Sequence, residues 1–426
     1  MPAASWRRPS GRIPLLAPLR HRDFRLLWTG MSVSLLGDGA LLVALAWQTY
    51  TLSNTPAAMS AVGVALSAPQ IALLLVGGVI SDRFDRRRVM LLSDLIRGAC
   101  LATLALLAIS GTLALWHLFA LAAVYGGASG FFGPAFDAVV PELVPADDLV
   151  QANALDQFIR PTAVHIAGPA LGGGLIAVAG VGWAFALDAV TFAVSSVCLV
   201  RMSRPAVTVS VGSTSVWREL REGFGYVRRN VWLWGTFLAA TFTYLLVLGP
   251  TEVLLPYVVK NTLHGTPVAL GLILASGGLG AVLAALVVGQ AGVPKSFITF
   301  MYLTWTVATV AVVGYGLAHR SWQLAVVCAL VNGFETAGAI AWVTVKQRLV
   351  PNHMLGRVSS IDWFISIALL PLSYAIAAPA AQAFGAQNTL IIAGTLGAVV
   401  TLAFLYLPGM RTVQRDAHPD AVAVGR

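Results

Sequence analysis

Residues 143–159 read LVPADDLVQANALDQFI, and residues 349–365 read LVPNHMLGRVSSIDWFI. The two stretches align without a gap at an offset of 206 residues, and seven of their 17 positions are identical. Average composition would give about one or two identities by chance. Because the offset is close to half of the 426-residue chain, the alignment indicates two similar halves that follow each other in the same order.

The composition is that of a helical membrane protein. Of all residues, 58% are hydrophobic and 11% are charged, whereas soluble domains carry about 25% charged residues. The apolar runs reach the length of about 20 residues that a spanning helix needs, and the strands of outer-membrane barrels alternate in shorter segments. Turn signals divide the runs into twelve predicted spans: 24–50, 58–81, 89–110, 116–136, 149–179, 183–203, 231–259, 268–291, 296–317, 321–345, 355–384 and 387–408. The predicted fold class is all-α, with twelve transmembrane helices in two six-helix repeats, an architecture typical of transporters.

The basic residues are distributed asymmetrically over this topology. Of the 27 basic residues, 23 lie in the termini and connections on one side of the membrane, and only Lys260 and Arg320 lie in connections on the other. Basic connections stay in the cytoplasm, so we expect both termini there, in a multi-pass protein of the cell (inner) membrane.

The same division sets the predicted domain boundaries. They are an N-terminal half over 1–203, a linker over 204–230, a C-terminal half over 231–408 and a tail over 409–426. The linker contains WRELREGFGYVRR, whose apolar residues recur at helical spacing between charges. This pattern predicts an amphipathic helix on the cytoplasmic surface, and a structureless linker is the alternative.

The connection between the second and third spans concentrates charge. Six of the seven residues in DRFDRRR, 82–88, are charged. With the preceding glycine, the stretch resembles the loop 2–3 signature of the major facilitator superfamily, G-x-x-x-D-R-x-x-R-R, although Asp85 replaces its usual later glycine. The matching positions are Gly78, Asp82, Arg83, Arg86 and Arg87.

This resemblance implies a gating loop within the major facilitator fold. Asp82 is expected to meet the start of the eleventh span, where the helix N-terminus carries partial positive charge. The arginines are expected to meet acids in the connection 137–148, which contains Asp137 and Glu142 and has no basic residue. A charge cluster that only fixes topology is the alternative.

Three further segments resemble one subgroup of this superfamily. LVPADDL at 143–149, MLGR at 354–357 and the charged centre are similar to the subgroup that contains macrolide-efflux and enterobactin-exporting carriers. In the fifth span, four residues resemble the core of the antiporter motif, GPxxGG: Gly168, Pro169, Gly172 and Gly173. The upstream glycines of the full motif are replaced by Leu155 and Val164, and simple close packing of helices is the alternative.

Several ionisable residues lie within the predicted spans, where they are costly and usually functional. Asp38, Glu252 and Glu335 have no basic neighbour at helical spacing. Burial disfavours the charged form of a carboxyl, so we predict these three as proton-coupling residues, with Asp38 first because it lies near mid-membrane between two glycines. Hydrogen bonding to a neighbouring helix is the alternative. Arg97 lies three residues from Asp94 and can pair with it, but it is also deep enough to be a charge of the cavity.

Aromatic residues are abundant in the second half. They suggest a pocket for a bulky, partly apolar compound, although contact with lipid explains many such residues. The predicted pocket residues are Phe242, Tyr244, Trp305, Phe334, Trp342 and Trp363.

These features predict a secondary transporter that exports a bulky amphiphilic compound by alternating access, with the direction and the proton exchange resting on the resemblance. The expected partners are a small-molecule substrate, protons and the lipid bilayer, and we expect a monomer without metal, cofactor or nucleic acid. The sequence contains no catalytic cluster or soluble domain, which argues against an enzyme. The open alternatives are an importer of a metabolite, a siderophore or lipid carrier, and a non-transporting membrane sensor.

Overall fold

The computed structural model describes residues 14–145, 148–203 and 216–416. Within them, twelve helices are long and apolar enough to cross a membrane, as the sequence predicted. They are α1 (Arg22–Leu52), α2 (Pro56–Arg83), α3 (Arg86–Ile109), α4 (Leu115–Leu143), α5 (Leu149–Pro161, a π-helical turn over Thr162–Ala167, and Gly168–Ala179), α6 (Val181–Arg201), α7 (Val231–Tyr257 with a π-helical turn over Val258–Thr262), α8 (Pro267–Ala291), α9 (Phe297–Leu317), α10 (Ser321–Leu349), α11 (Asn352–Ile367 and Leu370–Phe384) and α12 (Ala386–Leu405).

Two helices continue into segments that the sequence predicted to be connections. α4 extends through Leu143 because Val139 and Val140 remain buried against the first half. The segment 137–148 is therefore mostly helical, and Asp147 lies outside the described residues. α10 likewise extends to Leu349, which places Lys346 inside the helix.

The packing repeats between the halves. In the first half, α2 packs along α4, and both α1 and α3 pack along α6. In the second half, α8 packs along α10, and both α7 and α9 pack along α12. The contacts between halves follow the same rule, because α5 packs on α8 and α11 packs on α2. The duplication read from the sequence is thus a duplication of helix packing.

Short amphipathic segments precede each half on one face of the molecule. We call this face the basic face, because it carries the arginine-rich connection after α2. A 3₁₀ helix, Pro14–Arg20, packs on the start of α5, where His21 and Arg20 each contact Asp148 Oδ2 at 2.8 Å. Hydrogen bonds from His21 and then Arg20 lower the pKa of the Asp148 carboxyl.

The linker helix, Val216–Arg229, takes the equivalent place on α11. There Arg357 Nη1 lies 2.7 Å from Glu222 Oε2. The predicted amphipathic linker is therefore helical from Val216 and is attached to the second half.

The two halves are joined near the face opposite the basic face. Tyr50 at the end of α1 donates its hydroxyl hydrogen to the Val253 carbonyl at 2.5 Å. Lys260 donates to the Tyr50 carbonyl, and Asn54 Nδ2 lies 2.5 Å from Asn261 Oδ1. These contacts hold the two halves together on the face opposite the basic face.

Candidate functional site: a buried carboxyl cluster beside the contact between the halves

A polar cluster lies inside the first half, where α1, α3, α4 and α6 meet. Tyr125 of α4 donates its hydroxyl hydrogen to Asp38 Oδ1 at 2.5 Å. On α3, Arg97 Nη2 lies 2.5 Å from Asp94 Oδ1, which is the pairing expected from their spacing. Ser195 of α6 donates to the other oxygen of Asp94 at 2.6 Å. Asp94 is therefore fully partnered, whereas Asp38 is held by a neutral hydroxyl.

Asp188 of α6 completes this cluster, and it was not among the residues predicted as functional. Its side chain is fully buried, and Thr191 donates to its Oδ1 at 3.0 Å. Its Oδ2 has no hydrogen-bond partner among the described residues. A Cβ on Gly37 would lie only 2.0 Å from Asp188 Oδ1, so the missing side chain of Gly37 makes room for the carboxyl. The signal in the sequence was the glycine immediately before Asp38.

Arg97 is enclosed and does not face an open cavity, which corrects its prediction as a cavity charge. Its guanidinium carbon lies 4.6 Å from the ring centroid of Phe132 and 4.5 Å from that of Phe192. The Arg97 side chain is 8% exposed. The position of Arg97 along its own helix could not show this enclosure, because the enclosing rings come from α4 and α6.

The antiporter-like motif forms a close junction of α1, α5 and α8. All four of its residues are buried: Gly168, Pro169, Gly172 and Gly173. A Cβ on Gly168 would lie 2.6 Å from the Cα of Gly39, the residue after Asp38. A Cβ on Gly173 would lie 2.6 Å from the Pro267 carbonyl in the other half. The motif therefore connects the segment that carries Asp38 to the contact between the halves.

A π-helical turn over Thr162–Ala167 immediately precedes this motif. Such turns occur frequently at functional sites because they displace the helix register locally. The sequence did not predict this turn, since its residues continue the apolar pattern of α5.

Glu252 and Glu335 lie in the second half, apart from the carboxyl cluster. The Tyr374 hydroxyl donates to Glu252 Oε2, and a Cβ on Gly63 of α2 would lie 2.3 Å from the Tyr374 ring. Glu252 is thus linked through one tyrosine to the contact between α2 and α11. Glu335 on α10 is exposed and lies close enough to Tyr244 for its charge to act on the tyrosine hydroxyl.

A buried ion pair was missed in the second half. Lys346 Nζ lies 2.8 Å from Asp362 Oδ2, so this lysine is paired inside the second half. Trp342 donates its ring N–H to the same oxygen at 2.9 Å, and its ring packs against Trp232. Trp342 is only 8% exposed, so in this structure it supports Asp362 within the packed half and does not line an open pocket.

The other predicted pocket aromatics have different surroundings. Phe242 stacks on Phe404 of α12 with ring centroids 6.5 Å apart. Residues two apart on a helix point roughly 200° apart, so Phe242 faces away from the side on which Tyr244 approaches Glu335. Trp305 donates to the Glu335 carbonyl at 3.3 Å. Two more are exposed: Phe334 and Trp363.

The arginine-rich connection makes its described contacts within the first half. Arg86 pairs with Glu142 of α4, as the predicted contact with that acidic segment requires. Arg87 donates to the carbonyls of Leu199 and Val200 at 2.6 Å, at the end of α6. Asp85, which replaces the usual glycine, caps α3 by accepting the backbone N–H of Arg87 at 3.0 Å.

Three residues of the signature are described by their backbone alone. Gly78, Asp82 and Arg83 belong to α2, but their side chains lie outside the described residues. The expected contact of Asp82 with the start of α11 therefore stays a prediction.

Two six-helix halves that repeat the same helix packing form the fold of the major facilitator class of transporters. The model of the family described as "Transmembrane secretion effector" matches residues 13–422. The chain belongs to this family.

Curated relatives cover nearly the same length. Macrolide efflux protein A of Streptococcus pyogenes is 25% identical over 378 residues, which are 88% of this chain and 93% of that protein. The enterobactin exporter EntS of Shigella dysenteriae is 28% identical over 88% of this chain and 91% of its own.

Solved structures share the fold at lower identity. A POT family transporter in complex with 5-aminolevulinic acid superposes with a TM-score of 0.70 and 15% identity, covering 92% of this chain and 96% of its own. A bacterial homologue of the iron transporter ferroportin, in an inward-facing state, gives a TM-score of 0.66 at 16% identity, with 90% and 99% covered.

Proposed function

We propose that this protein exports a bulky amphiphilic compound in exchange for protons, by alternating access between its two halves. The observation that carries the proposal is the position of Asp38. This carboxyl is a membrane-embedded acid held by one tyrosine hydroxyl, and the next residue in the chain touches the glycine motif that contacts the other half.

The coupling follows from the charge of that carboxyl. An ionised carboxylate in a low-dielectric site attracts Arg97 and the Tyr125 hydroxyl more strongly than a neutral carboxyl does. Protonation of Asp38 therefore loosens α1 from α3 and α4. Because Gly39 packs on Gly168 without intervening side chains, a displacement of α1 acts directly on α5 and on its contact with α8. A proton can thus shift the equilibrium between the two orientations of the halves.

The proposed substrate class is supported by side chains of the second half and by the names of the relatives. Trp305 donates its ring N–H to the Glu335 carbonyl, and the charge of Glu335 acts on the Tyr244 hydroxyl. Aromatic faces beside a carboxylate suit an amphiphilic compound that carries an amine or several hydroxyl groups. Relatives named as macrolide and enterobactin exporters make a macrolide the first probe and a catecholate siderophore the second.

The proposal also assigns the orientation and the gate. The basic face is cytoplasmic, in the cell (inner) membrane, and the monomer is the transporting unit. The halves 1–203 and 231–408 are the moving units, joined by 204–230, with 409–426 as a tail. Asp82 and the arginines after it hold the cytoplasmic side closed when the central space faces outward.

The test is transport of radiolabelled erythromycin into everted membrane vesicles with an imposed pH gradient. Asp38→Asn is expected to lose gradient-driven uptake but to keep downhill exchange, because the amide resembles a permanently protonated carboxyl. Glu335→Gln and Glu252→Gln should lose less, since Glu335 is exposed and Glu252 keeps its tyrosine partner. If all three variants kept gradient-driven uptake, none of these carboxyls would be the coupling residue, and if the wild type showed no gradient-driven uptake, proton antiport would be excluded. Uptake of enterobactin in place of erythromycin would assign the siderophore alternative.

A further inference from the structure

We propose that Asp188 and Asp38 form a shared proton-binding site between α6 and α1, and that Asp188 holds the proton in the arrangement described above. The inference deepens the proposed antiport, and its consequence for transport rests on that function. The existence of the protonated carboxyl does not rest on that function, because it can be observed in the absence of any substrate.

The charges around the site do not balance unless a carboxyl is neutral. Three carboxyls are present, Asp38, Asp94 and Asp188, together with one buried guanidinium, that of Arg97. Asp94 pairs directly with this guanidinium. Two further carboxylates in a low-dielectric region would repel each other, and such pairs retain a proton between them.

The groups that face the pair come from every helix around it. Arg97 and Asp94 approach from α3, and Tyr125 approaches from α4. Arg160 acts on Asp38 from α5, but its side chain is 47% exposed and is paired with Asp156 at 3.0 Å. Water and its own partner weaken the effect of Arg160, so it does not supply the missing positive charge.

Hydrogen bonding determines which carboxyl holds the proton. Asp38 accepts a hydrogen bond from Tyr125, and a donor of this kind favours the ionised form. Asp188 accepts one bond from Thr191, while its Oδ2 is buried without a partner among the described residues. An ionised oxygen in that position would bear a large desolvation cost, which protonation greatly lowers. Asp188 is therefore the neutral member of the pair.

Asp38 provides the route by which the proton leaves. Its side chain is partly exposed, whereas that of Asp188 is fully buried. In the transfer, a water molecule takes the proton of Asp188 as it gives one of its own to Asp38, and Asp38 then gives this proton to further water. The negative charge moves to Asp188, so the total charge of the pair changes only when the proton leaves.

Gly37 offers an independent test of the geometry. A Cβ at this position would lie 2.0 Å from Asp188 Oδ1 and 2.3 Å from Thr191 Oγ1. Gly37→Ala must therefore displace the Asp188 carboxyl without removing any ionisable group. Gly174→Ala is the matched control, because a Cβ there would meet nothing within 4 Å.

The experiment is infrared difference spectroscopy of the purified full-length protein, titrated with base in the absence of substrate. The carbonyl stretch of a protonated carboxyl is expected to persist above neutral pH in the wild type. It should lose intensity in Asp188→Asn, whose amide is isosteric with the neutral acid, and the lost component should titrate at a different pH in Gly37→Ala. Asp38→Asn should retain the band but shift its titration to lower pH, because the amide removes the neighbouring negative charge, and Gly174→Ala should leave the titration unchanged.

Two results would overturn the proposal. One is a carboxyl band of undiminished intensity in Asp188→Asn. The other is loss of the wild-type band on addition of sodium chloride at constant pH, which would assign the site to a metal cation. A band that depends on Asp188 in a protein without gradient-driven uptake would refute the antiport function and leave the proton site standing.

Discussion

At the scale of single residues, two Asp–Arg pairs differ in burial: Asp94–Arg97 on α3 and Asp156–Arg160 on α5. We predict that breaking each pair lowers the stability of the protein by a different amount. Arg97 and Asp94 are enclosed by aromatic rings, whereas Arg160 is about half exposed beside Asp156. Arg97→Met leaves Asp94 as a buried charge without its partner, which costs about 3–5 kcal/mol. Arg160→Met should cost about 0–1 kcal/mol, because water already screens the half-exposed guanidinium that the substitution removes.

Thermal unfolding of the two purified variants in the same detergent measures this difference. Equal losses of melting temperature would contradict the enclosed position of Arg97. A variant of Arg97 that unfolds at the wild-type temperature would show that Asp94 is neutral before the substitution.

Single residues also show what the sequence could and could not predict at the site. Asp38 was predicted because a carboxyl in an apolar run is conspicuous whatever its neighbours are. The importance of Asp188 depends on Gly37, from another helix 150 residues away, and on an oxygen that lacks a partner. Spacing along one helix carries no information about such a contact, so the shared site appears only once α1 and α6 are packed.

At the scale of elements, we predict that the contact between α5 and α8 tolerates no added side chain. A Cβ on Gly173 would lie 2.6 Å from the Pro267 carbonyl, whereas a Cβ on the adjacent Gly174 would meet nothing within 4 Å. Gly173→Val should therefore separate the halves on the opposite face, at a cost of about 1–3 kcal/mol from overpacking. Gly174→Val is the matched control of identical chemistry.

Two measurements test this prediction. They are the uptake of erythromycin and the reactivity of a cysteine introduced between the two halves. Gly173→Val is expected to lose transport while it inserts normally, and the cysteine should become reactive from the opposite face. Normal transport by Gly173→Val would remove the motif from the mechanism.

The helices could be predicted from the sequence more completely than their ends. The twelve spans were predictable because their length and apolar composition are fixed by the bilayer. The ends of α4 and α10 were not, since charges such as Glu142 and Lys346 suggest a connection. In the structure, Arg86 and Asp362 pair with those charges and let the helices continue. The π-helical turn in α5 could not be predicted either, because its residues continue the apolar pattern of the helix.

At the scale of the whole molecule, the orientation is the first expectation to check. Ser110 lies in the exposed connection after α3, on the face opposite the basic face, and Arg228 is exposed on the linker helix. In a background without native cysteines, Ser110→Cys should react with an impermeant maleimide in intact cells. Arg228→Cys should react only after permeabilisation. The reverse pattern would place the basic face outside and contradict the proposed orientation.

Alternating access requires the opposite face to open, and the contact between Asn54 and Asn261 must then break. The two side chains belong to different halves and meet at 2.5 Å. We predict that Asn54→Cys/Asn261→Cys, joined by a short bifunctional methanethiosulfonate, stops erythromycin transport, and that a reducing agent restores it. The linker is needed because a direct disulfide requires Cβ atoms within about 3.5–4.5 Å, and two asparagine side chains that meet at their tips hold theirs farther apart.

A pair within one half provides the control for this cross-link. His319 is exposed after α9, and Gln387 at the start of α12 donates to the adjacent Ala318 carbonyl at 3.5 Å. His319→Cys/Gln387→Cys, treated with the same reagent, should transport normally, because both residues move together with the second half. Full transport by the cross-linked Asn54–Asn261 pair would mean that this face stays closed throughout the cycle. The substrate would then leave by a route other than the space between the halves.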